Sequence, residues 1–295
     1  MKYAFELEDL TRRFGGTTAL SRVSLRAPVG SVLGLVGRNG SGKTTLLHTV
    51  AGLLLPDGGR CRTLGTPTPE LGPAELGRLG VVHQENRFLA WMSVRQQLAY
   101  AASFYERWDR ALEHRLLGEL ELDGRARIHR LSPGNQQKLA ILLAVCPRPR
   151  LLLLDEPVSA LDPLAREQLL GFLLELLREG EVTIAVASHV LRDVERVVDR
   201  VACLDAGRLV ADADLDVLQE TYAEWRVVAK NGGLPVRFDE PWILDQEVQT
   251  HQARLAVRAA EVEREAFEAR WHAEVESRPL SLERIFPLLL EERPR

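Results

Sequence analysis

The stretch of sequence that decides the fold is Ser31-Val-Leu-Gly-Leu-Val36, followed directly by Gly37-Arg-Asn-Gly-Ser-Gly-Lys-Thr-Thr45. The first part is a short apolar run, which is typical of a buried strand in a mostly parallel sheet. The second part matches the pattern Gly-x4-Gly-Lys-Thr, and residues 46–55 after it have the apolar spacing of a helix. A strand, a glycine-rich loop and a helix in this order predict a phosphate-binding loop.

The residue types in this loop suit a phosphate ligand. Its glycines allow backbone N–H groups to approach phosphate oxygens without obstruction by a Cβ atom, and the N-terminus of the following helix favours an anion. Lys43 adds a mobile positive charge for the terminal phosphates, and the Thr44 hydroxyl suits Mg²⁺. A glycine-rich turn with a surface lysine is the alternative. The candidate binding residues are Gly37, Asn39, Gly40, Ser41, Gly42, Lys43, Thr44 and Thr45.

A second buried run, residues 151–154, ends in the two acids Asp155 and Glu156. A phosphate-binding loop needs a further carboxylate at the end of a neighbouring strand to hold magnesium, and Asp155 occupies this place. Glu156 follows at once and could polarise a water molecule for attack on the terminal phosphate. The alternative is that both acids only cap a helix beginning near Pro157. The consecutive leucines that lead to the two acids favour the catalytic interpretation.

Strands alternate with helical segments along much of the chain, which predicts a doubly wound α/β core. Residues 182–187 form a further buried run, and the block at 85–148 reads as a helical insertion. A change of character near residues 212–221 predicts two domains, 1–215 and 216–295. In the second domain, a small α/β unit, we expect strands at 225–229, 252–257 and 274–276, and helices at 260–269 and 282–292.

Composition excludes several classes of protein. The 38 Lys and Arg residues against 42 Asp and Glu residues give a net charge of −4, so no basic field indicates a nucleic-acid partner. The three cysteines match no metal spacing and suit a reducing cytoplasm. The first residues lack the pattern of a secretory signal, and the uncharged apolar runs fall well short of the roughly 20 residues that span a bilayer. Work at a membrane would therefore need a membrane-spanning partner.

Five further motifs lie in order around the phosphate-binding loop and the two acids. They are Phe14, Gln84, Leu131-Ser-Pro-Gly-Asn-Gln-Gln137, Ser159-Ala-Leu-Asp162 and Ser188-His189. Singly they are weak signals, because a lone phenylalanine is more often a core residue and a lone glutamine more often a solvated one. Together, over roughly residues 2–215, the set resembles the nucleotide-binding subunit of an ATP-binding cassette (ABC) transporter.

The resemblance implies a fold and a role for each motif. The fold would be a P-loop NTPase (RecA-like) core with an antiparallel β-subdomain and a helical insertion. Phe14 would stack on adenine, and Gln84 would touch Mg²⁺ and the attacking water and hinge the helical insertion. His189 would be the switch histidine. The signature loop would contribute Ser132 and Gly134 to a nucleotide, and Asp162 would lie in the loop that crosses to a dimer partner.

The mechanism that the resemblance implies is a sandwich of two subunits around two ATP molecules with Mg²⁺. The loop, Asp155 and Glu156 of one subunit would face Ser132 and Gly134 of the other. The partners would be a second nucleotide-binding subunit, with a homodimer favoured, and a polytopic membrane permease. The chain would then lie on the cytoplasmic face of the plasma membrane, held there by its permease.

The signature loop departs from the family's usual leucine-serine-glycine-glycine-glutamine. Pro133 replaces the first glycine and Asn135 the glutamine. Proline has no N–H group, so position 133 cannot donate to phosphate, whereas the Ser132 hydroxyl and the Gly134 N–H still can. The substitutions resemble those of exporter-type members, and we expect an active site. Ser132 as a plain helix cap, with Pro133 in the first turn, is compatible with this role.

Two other segments bear on which transport system this is. Pro279-Leu-Ser-Leu-Glu-Arg-Ile-Phe286 resembles the tail that closes a small accessory domain in many prokaryotic export cassettes, although an amphipathic helix docked on its own domain gives the same pattern. Residues 88–105 are where family members receive the permease. Their apolar side chains suit docking, or else form the core of the helical insertion. The residues concerned are Phe88, Leu89, Trp91, Met92 and Val94.

Two alternatives from other classes remain open. A soluble cassette protein that acts on ribosomes or DNA would usually carry two phosphate-binding loops or a basic surface. A P-loop kinase would transfer phosphate to a metabolite and would not need the signature loop, Asp162 or His189. We therefore expect export through a separate permease, and ATPase stimulation by a polytopic partner would separate it from both alternatives.

Overall fold

The computed structural model describes residues 2–179, 182–258 and 264–291. The chain divides into two compact units, Met1–Asp212 and Ala213–Arg295, called here the N-terminal and C-terminal units. Within the described ranges, no helix combines the length and the apolar character that a membrane crossing requires.

The N-terminal unit contains two sheets and a group of helices. Its strands are β1 (Tyr3–Phe14), β2 (Thr17–Pro28), β3 (Val32–Val36), β4 (Gly58–Thr63), β5 (Thr66–Pro67), β6 (Leu79–Val82), β7 (Leu151–Asp155), β8 (Thr183–Ser188), β9 (Arg200–Asp205) and β10 (Arg208–Asp214), the last ending just beyond the division. Its helices are α1 (Lys43–Val50), α2 (Pro73–Leu76), α3 (Val94–Ala102), α4 (Arg110–Glu119), α5 (Pro133–Val145), α6 (Pro163–Arg178) and α7 (Leu191–Glu195).

The central sheet has six strands in the order β10-β9-β3-β8-β7-β6. The pairs β9–β3, β3–β8, β8–β7 and β7–β6 are parallel. Strands β3, β7 and β8 are buried along their whole length, as their uninterrupted apolar sequences require. The register places Val36 beside Ser188 and Asp155 beside Ala187. The predicted α/β core is confirmed, and the ends of three strands meet at one edge of its sheet.

A second, antiparallel sheet covers the start of α1. Its strand order is β2-β1-β4-β5. Leu10 and Leu20 of this sheet lie in one hydrophobic core with Leu35 of the central sheet and Leu46 and Leu47 of α1. Because α1 is packed from both sheets, the loop before it is held in a fixed position.

Helix α1 is shorter than its sequence pattern predicts. The apolar spacing continues to residue 55, but the helix ends at Val50. Gly52 adopts a φ of 75°, in the left-handed region, and the Leu53 N–H donates to the His48 carbonyl at 2.9 Å. This left-handed glycine closes the helix and leaves Leu53 and Leu55 exposed.

The helical insertion lies between β6 and β7 and consists of α3, α4 and α5. Each helix begins at a side chain that accepts a backbone N–H. Ser93 accepts from Gln96, Asp109 from Leu112, and Ser132 from Asn135. These caps satisfy backbone donors that the first turn of a helix cannot pair internally.

In its described residues, the C-terminal unit is a four-stranded antiparallel sheet with three helices. Its elements are α8 (Leu215–Thr221), β11 (Tyr222–Ala229), β12 (Ile243–Val248), β13 (Gln252–Arg258), α9 (Arg264–Trp271), β14 (Ala273–Pro279) and α10 (Leu282–Glu291), and the strand order is β12-β13-β11-β14. Trp225, Leu255 and Phe267 pack in its core. The predicted strands are present. Strand β12 was not predicted, because its residues alternate only between half-buried and exposed. Of the predicted helices, residues 260–263 and Glu292 lie outside the described ranges.

Candidate nucleotide-binding site

The loop between β3 and α1 has the backbone shape that its glycines predict. Gly42 caps α1 with a φ of 107°, and Gly40 has a φ of 79°. A Cβ atom at Gly42 would lie 2.6 Å from the Ala19 carbonyl oxygen, and one at Gly37 would lie 2.3 Å from the Leu204 carbonyl oxygen. Only glycine fits these close approaches and these dihedral angles, so the sequence of the loop fixes its path.

Lys43 is the first residue of α1 and is buried, which excludes the surface-lysine interpretation. Its Nζ donates to the Gly37 carbonyl at 2.7 Å and lies 3.3 Å from the Arg38 carbonyl. Burial lowers the pKa of Lys43, and the nearby charges of Glu156 and Asp155 oppose that shift. The ammonium group therefore lies inside the curve of the loop, where a phosphate could replace the carbonyl contacts.

Asp155 ends β7 and is also buried. In the described part of the chain, neither of its carboxylate oxygens makes a hydrogen bond of normal geometry. Burial raises the pKa of Asp155, while the Thr44 hydroxyl is close enough to lower it. A buried carboxylate without full partners, beside a hydroxyl, is an oxygen donor set that suits Mg²⁺ completed by phosphate and water. These two residues fit the expected metal.

Glu156 connects the ends of β7 and β8. Its N–H donates to the Ala187 carbonyl at 2.9 Å, and its φ of 50° is unusual for a residue with a Cβ atom. The Glu156 side chain is buried. Its Oε2 lies 2.8 Å from Nδ1 of the half-exposed His189 and 3.4 Å from the Ser188 hydroxyl, which donates to it. A carboxylate held in place by a histidine can accept a proton from an attacking water molecule.

The helix-cap interpretation of Asp155 and Glu156 is wrong. Helix α6 begins at Pro163 and not near Pro157, and its cap is Asp162, whose Oδ1 accepts the Ala165 N–H at 2.9 Å. That hydrogen bond lowers the pKa of Asp162. Asp155 and Glu156 therefore cap no helix at this point, and they lie at the edge of the central sheet.

Ser132 and Gly134 lie with the Asp162 loop in a second group. Ser132 Oγ accepts the Asn135 N–H at 3.3 Å, and Pro133 is the first residue of α5. The bond uses the oxygen of Ser132 as an acceptor and leaves its hydroxyl hydrogen for another partner. A Cβ atom at Gly134 would lie 2.9 Å from the Ala160 carbonyl, so glycine allows the two loops to touch.

Phe14 and Gln84 are both exposed. Phe14 ends β1, and the Arg12 guanidinium lies 4.7 Å from the centre of its ring. Gln84 follows β6, whose Val82 pairs with Leu154 of β7, so it belongs to the same edge of the sheet as Asp155. The structure thus collects Lys43, Thr44, Asp155, Glu156, His189 and Gln84 at one edge.

The contacts of several side chains around this edge were not predicted from the sequence. His48 Nε2 lies 3.2 Å from His83 Nδ1. Burial lowers the pKa of His83, and the charge of His48 lowers it further. Asn86 Nδ2 donates to Gln137 Oε1 at 2.7 Å. Gln137 ends the signature motif, but neither contact follows from a motif, because each pair joins elements that are far apart in sequence.

Comparison with known proteins gives a consistent assignment. The family model described as ABC transporter matches residues 20–159. The bacitracin transport ATP-binding protein BcrA of Enterococcus faecalis is 32% identical over 225 residues, which cover 75% of this chain and 72% of that protein. The chain belongs to the ABC transporter family.

Further relatives of this ABC cassette differ in the direction of transport that their names give. The methionine import ATP-binding protein MetN of Rhizobium etli is 36% identical over 220 residues, 71% of this chain and 60% of that protein. The Nod factor export ATP-binding protein I of Neorhizobium galegae is 32% identical over 239 residues, 79% of this chain and 68% of that protein.

A solved bacterial ABC transporter cassette, described as dimeric, has the same fold. It superposes with a TM-score of 0.64 at 25% identity and covers 72% of this chain and 98% of its own. The protein is therefore an ATP-binding subunit of the ABC family with a P-loop NTPase fold.

Proposed function

We propose that this cassette hydrolyses ATP at the edge of the central sheet, as one of two subunits that enclose two ATP molecules. The observation that carries the proposal is the meeting of Lys43, Asp155, Glu156 and His189 at the ends of β3, β7 and β8. Three of these side chains are buried, and each has a charge or a proton acceptor that phosphoryl transfer requires.

Each residue has a distinct part in this proposal. Glu156 accepts the proton of the attacking water, and His189 holds that carboxylate and faces the terminal phosphate. Lys43 leaves its carbonyl contacts to bind the terminal phosphates. Asp155, Thr44 and Gln84 would hold Mg²⁺, which would supply positive charge to the phosphates. The loop glycines with Asn39, Ser41 and Thr45 cradle the phosphates, and Phe14 stacks on the base.

The second group of residues would act on the nucleotide of the partner subunit. Ser132 retains a free hydroxyl hydrogen, and the N-terminus of α5 favours an anion. The Gly134 N–H is a further donor, while Pro133 has none. Asp162 caps α6 in the loop that touches Gly134, so both loops would meet the partner together. A homodimer is the simplest form, because one chain contains both halves of the pocket.

The test compares two single variants with the wild-type cassette. Lys43→Ala should weaken Mg²⁺–ATP binding by about 10–100-fold, because a charged hydrogen-bond donor is lost. Glu156→Gln should bind normally and hydrolyse about 10²–10³ times more slowly. Glu167→Gln is the control, since Glu167 is an exposed carboxylate that pairs with Arg196. Full hydrolysis by Glu156→Gln would contradict the proposal.

We further propose that exposed aromatic side chains of the helical insertion receive the permease. Met92 and Val94 of the predicted patch are buried in the core, since Val94 begins α3 on its packed side. Trp91 and Phe104 are 65% and 70% exposed; Phe104 lies in the predicted segment 88–105 but was not among the residues named for docking. Trp91→Ala should leave ATP hydrolysis by the free cassette unchanged and reduce its stimulation by a co-purified permease.

We propose export as the direction of transport and the cytoplasmic face of the membrane as the place of work. Support for export is the similarity to a named export protein, together with Pro133 and the C-terminal tail. In the structure the tail forms α10, whose Leu282 and Ile285 are buried, and the Leu280 N–H donates to the Tyr222 carbonyl of β11 at 3.1 Å. The tail therefore docks on its own unit, which would be an accessory domain. The test uses vesicles that hold only this chain and its permease. We expect them to transport cargo without a soluble protein that delivers the cargo.

A further inference from the structure

The loop that carries Gln84 is fastened to three helices. We call residues 83–89 the glutamine loop. His83 Nδ1 lies 3.2 Å from His48 Nε2 of α1. The Leu89 N–H donates to Gln97 Oε1 of α3 at 3.2 Å. Between these contacts, Asn86 Nδ2 donates to Gln137 Oε1 of α5 at 2.7 Å. The last bond joins the glutamine loop to the helix that begins at Ser132.

Gln137 is an unusual residue for the place it occupies. It is 3% exposed, and within the described residues its Nε2 is buried without a hydrogen-bond partner. A buried amide with an unmet donor costs free energy, and an apolar side chain of similar size would pack there without that cost. Packing alone therefore does not explain why this residue is a glutamine. The hydrogen bond from Asn86 does, because it needs the amide oxygen of Gln137 as its acceptor.

The neighbours of Gln137 on α5 have other contacts. Gln136 Nε2 donates to the Leu131 carbonyl at 3.3 Å, and Lys138 Nζ donates to the Leu120 carbonyl at 2.9 Å. Gln137 is thus the member of this trio that faces the glutamine loop. Gln137 lies five positions after Ser132, which is about 7.5 Å along the axis of a rigid helix. A shift of Asn86 would therefore move the N-terminus of α5.

We propose that Asn86 and Gln137 are a positioning pair that couples the glutamine loop to the signature loop of the same subunit. When Gln84 moves toward a nucleotide in its own pocket, the pair carries that movement to Ser132 and Gly134, which face the nucleotide of the partner subunit. The two ATP pockets of the dimer are coupled in this way. The inference rests on the proposed function, because it needs ATP at both pockets.

The experiment is a double-mutant cycle with Asn86→Ala, Gln137→Leu and the double variant. ATP hydrolysis is measured against ATP concentration to give kcat and the Hill coefficient. ATP affinity and thermal stability are measured separately. Gln168→Leu is the control, since it makes the same change at an exposed position of α6 outside the signature loop.

If the pair acts as a unit, each single variant lowers kcat by about tenfold and brings the Hill coefficient close to one. The kcat of the double variant is then no lower than that of either single variant, because all three variants lose the same interaction. ATP affinity and melting temperature stay near the wild-type values, and Gln168→Leu behaves as the wild type.

Three results would overturn the inference. They are additive losses in the double variant, a kcat loss matched by a loss of ATP affinity or stability, and an unchanged kcat and Hill coefficient in both single variants. If Gln137→Leu fails to fold, Asn86→Ala, at a half-buried loop position, decides alone. A wild-type cassette without ATP hydrolysis would instead contradict the proposed function itself.

Discussion

His189 Nδ1 lies 2.8 Å from Glu156 Oε2, and this contact joins the residue after β7 to the residue after β8. Glu156 is buried, and its backbone takes a φ of 50° that residues with a Cβ atom rarely adopt. The contact and the strained backbone together hold the carboxylate at the edge where Lys43 and Asp155 lie.

The first prediction is that Glu156 and His189 act as one unit in hydrolysis. Glu156→Gln and His189→Ala should each lower kcat by about 10²–10³-fold. The double variant should lose little more than either single variant, because residues that act together show strongly non-additive effects. Steady-state phosphate release checks this. If the two losses multiply in the double variant, the two side chains work independently.

The second prediction concerns the charge of Asp155 in the nucleotide-free protein. Burial raises the pKa of Asp155 above its ordinary value of about 3.9, so the folded state keeps a proton that the unfolded state releases. Stability is therefore lost as the pH rises from that ordinary value through the raised pKa. Asp155→Asn removes this loss and should be more stable than the wild type at neutral pH.

Urea unfolding in EDTA at several pH values measures this difference. The advantage of Asp155→Asn should shrink toward zero as the pH falls below about 3.9, where the unfolded carboxyl also takes up its proton. Asp239→Asn is the control, because Asp239 has a side chain that is 92% exposed. An Asp155→Asn variant that is less stable than the wild type at neutral pH would show that the carboxylate is stabilised by the fold.

The third prediction is that Gly42 tolerates no side chain. Gly42→Ala would place a Cβ atom 2.6 Å from the Ala19 carbonyl at a φ of 107°, which L-residues rarely adopt. The variant should lose about 1–2 kcal/mol or more of stability and bind ATP weakly. Gly171→Ala in α6 meets nothing within 4 Å and should be neutral or stabilising by up to about 1 kcal/mol. Thermal melting and ATP titration compare the two variants. Equal stability and equal ATP affinity would show that a Cβ atom at position 42 does not meet the Ala19 carbonyl.

The fourth prediction concerns the base of the nucleotide. Phe14→Ala should weaken ATP binding by about 10–100-fold, in keeping with the 1–3 kcal/mol that one stacked base contributes, and Phe14→Trp should bind normally. Phe104→Ala removes another exposed ring, from the helical insertion, and should leave ATP affinity of the free cassette unchanged. Nucleotide titration by fluorescence measures both, and an unchanged affinity in Phe14→Ala would place the adenine elsewhere.

The fold was predictable wherever burial leaves a continuous or periodic trace in the sequence. Strands β3, β7 and β8 are buried on both faces, so their apolar runs identify them without ambiguity. Strand β12 has no fully buried residue, and the end of α1 depends on the left-handed Gly52, so neither follows from periodicity. Partial burial and a single dihedral angle leave little periodic pattern in the sequence.

The site was predictable in its chemistry but not in its contacts. The spacing of the loop identifies Lys43, and the strand that leads to Asp155 identifies the acid. The bond from Asn86 to Gln137 spans 51 positions and depends on how β6 and α5 pack. No local pattern encodes such a pair, because its partners are set by tertiary structure.

The central claim is that ATP is held between two copies of this chain, each of which completes the pocket of the other. The most direct measurement is the sedimentation of Glu156→Gln, with and without Mg²⁺–ATP. The account predicts that ATP roughly doubles the mass from the 33.0 kDa of one chain, and that the further change Ser132→Arg abolishes this increase. A mass that saturating ATP does not change would contradict the account.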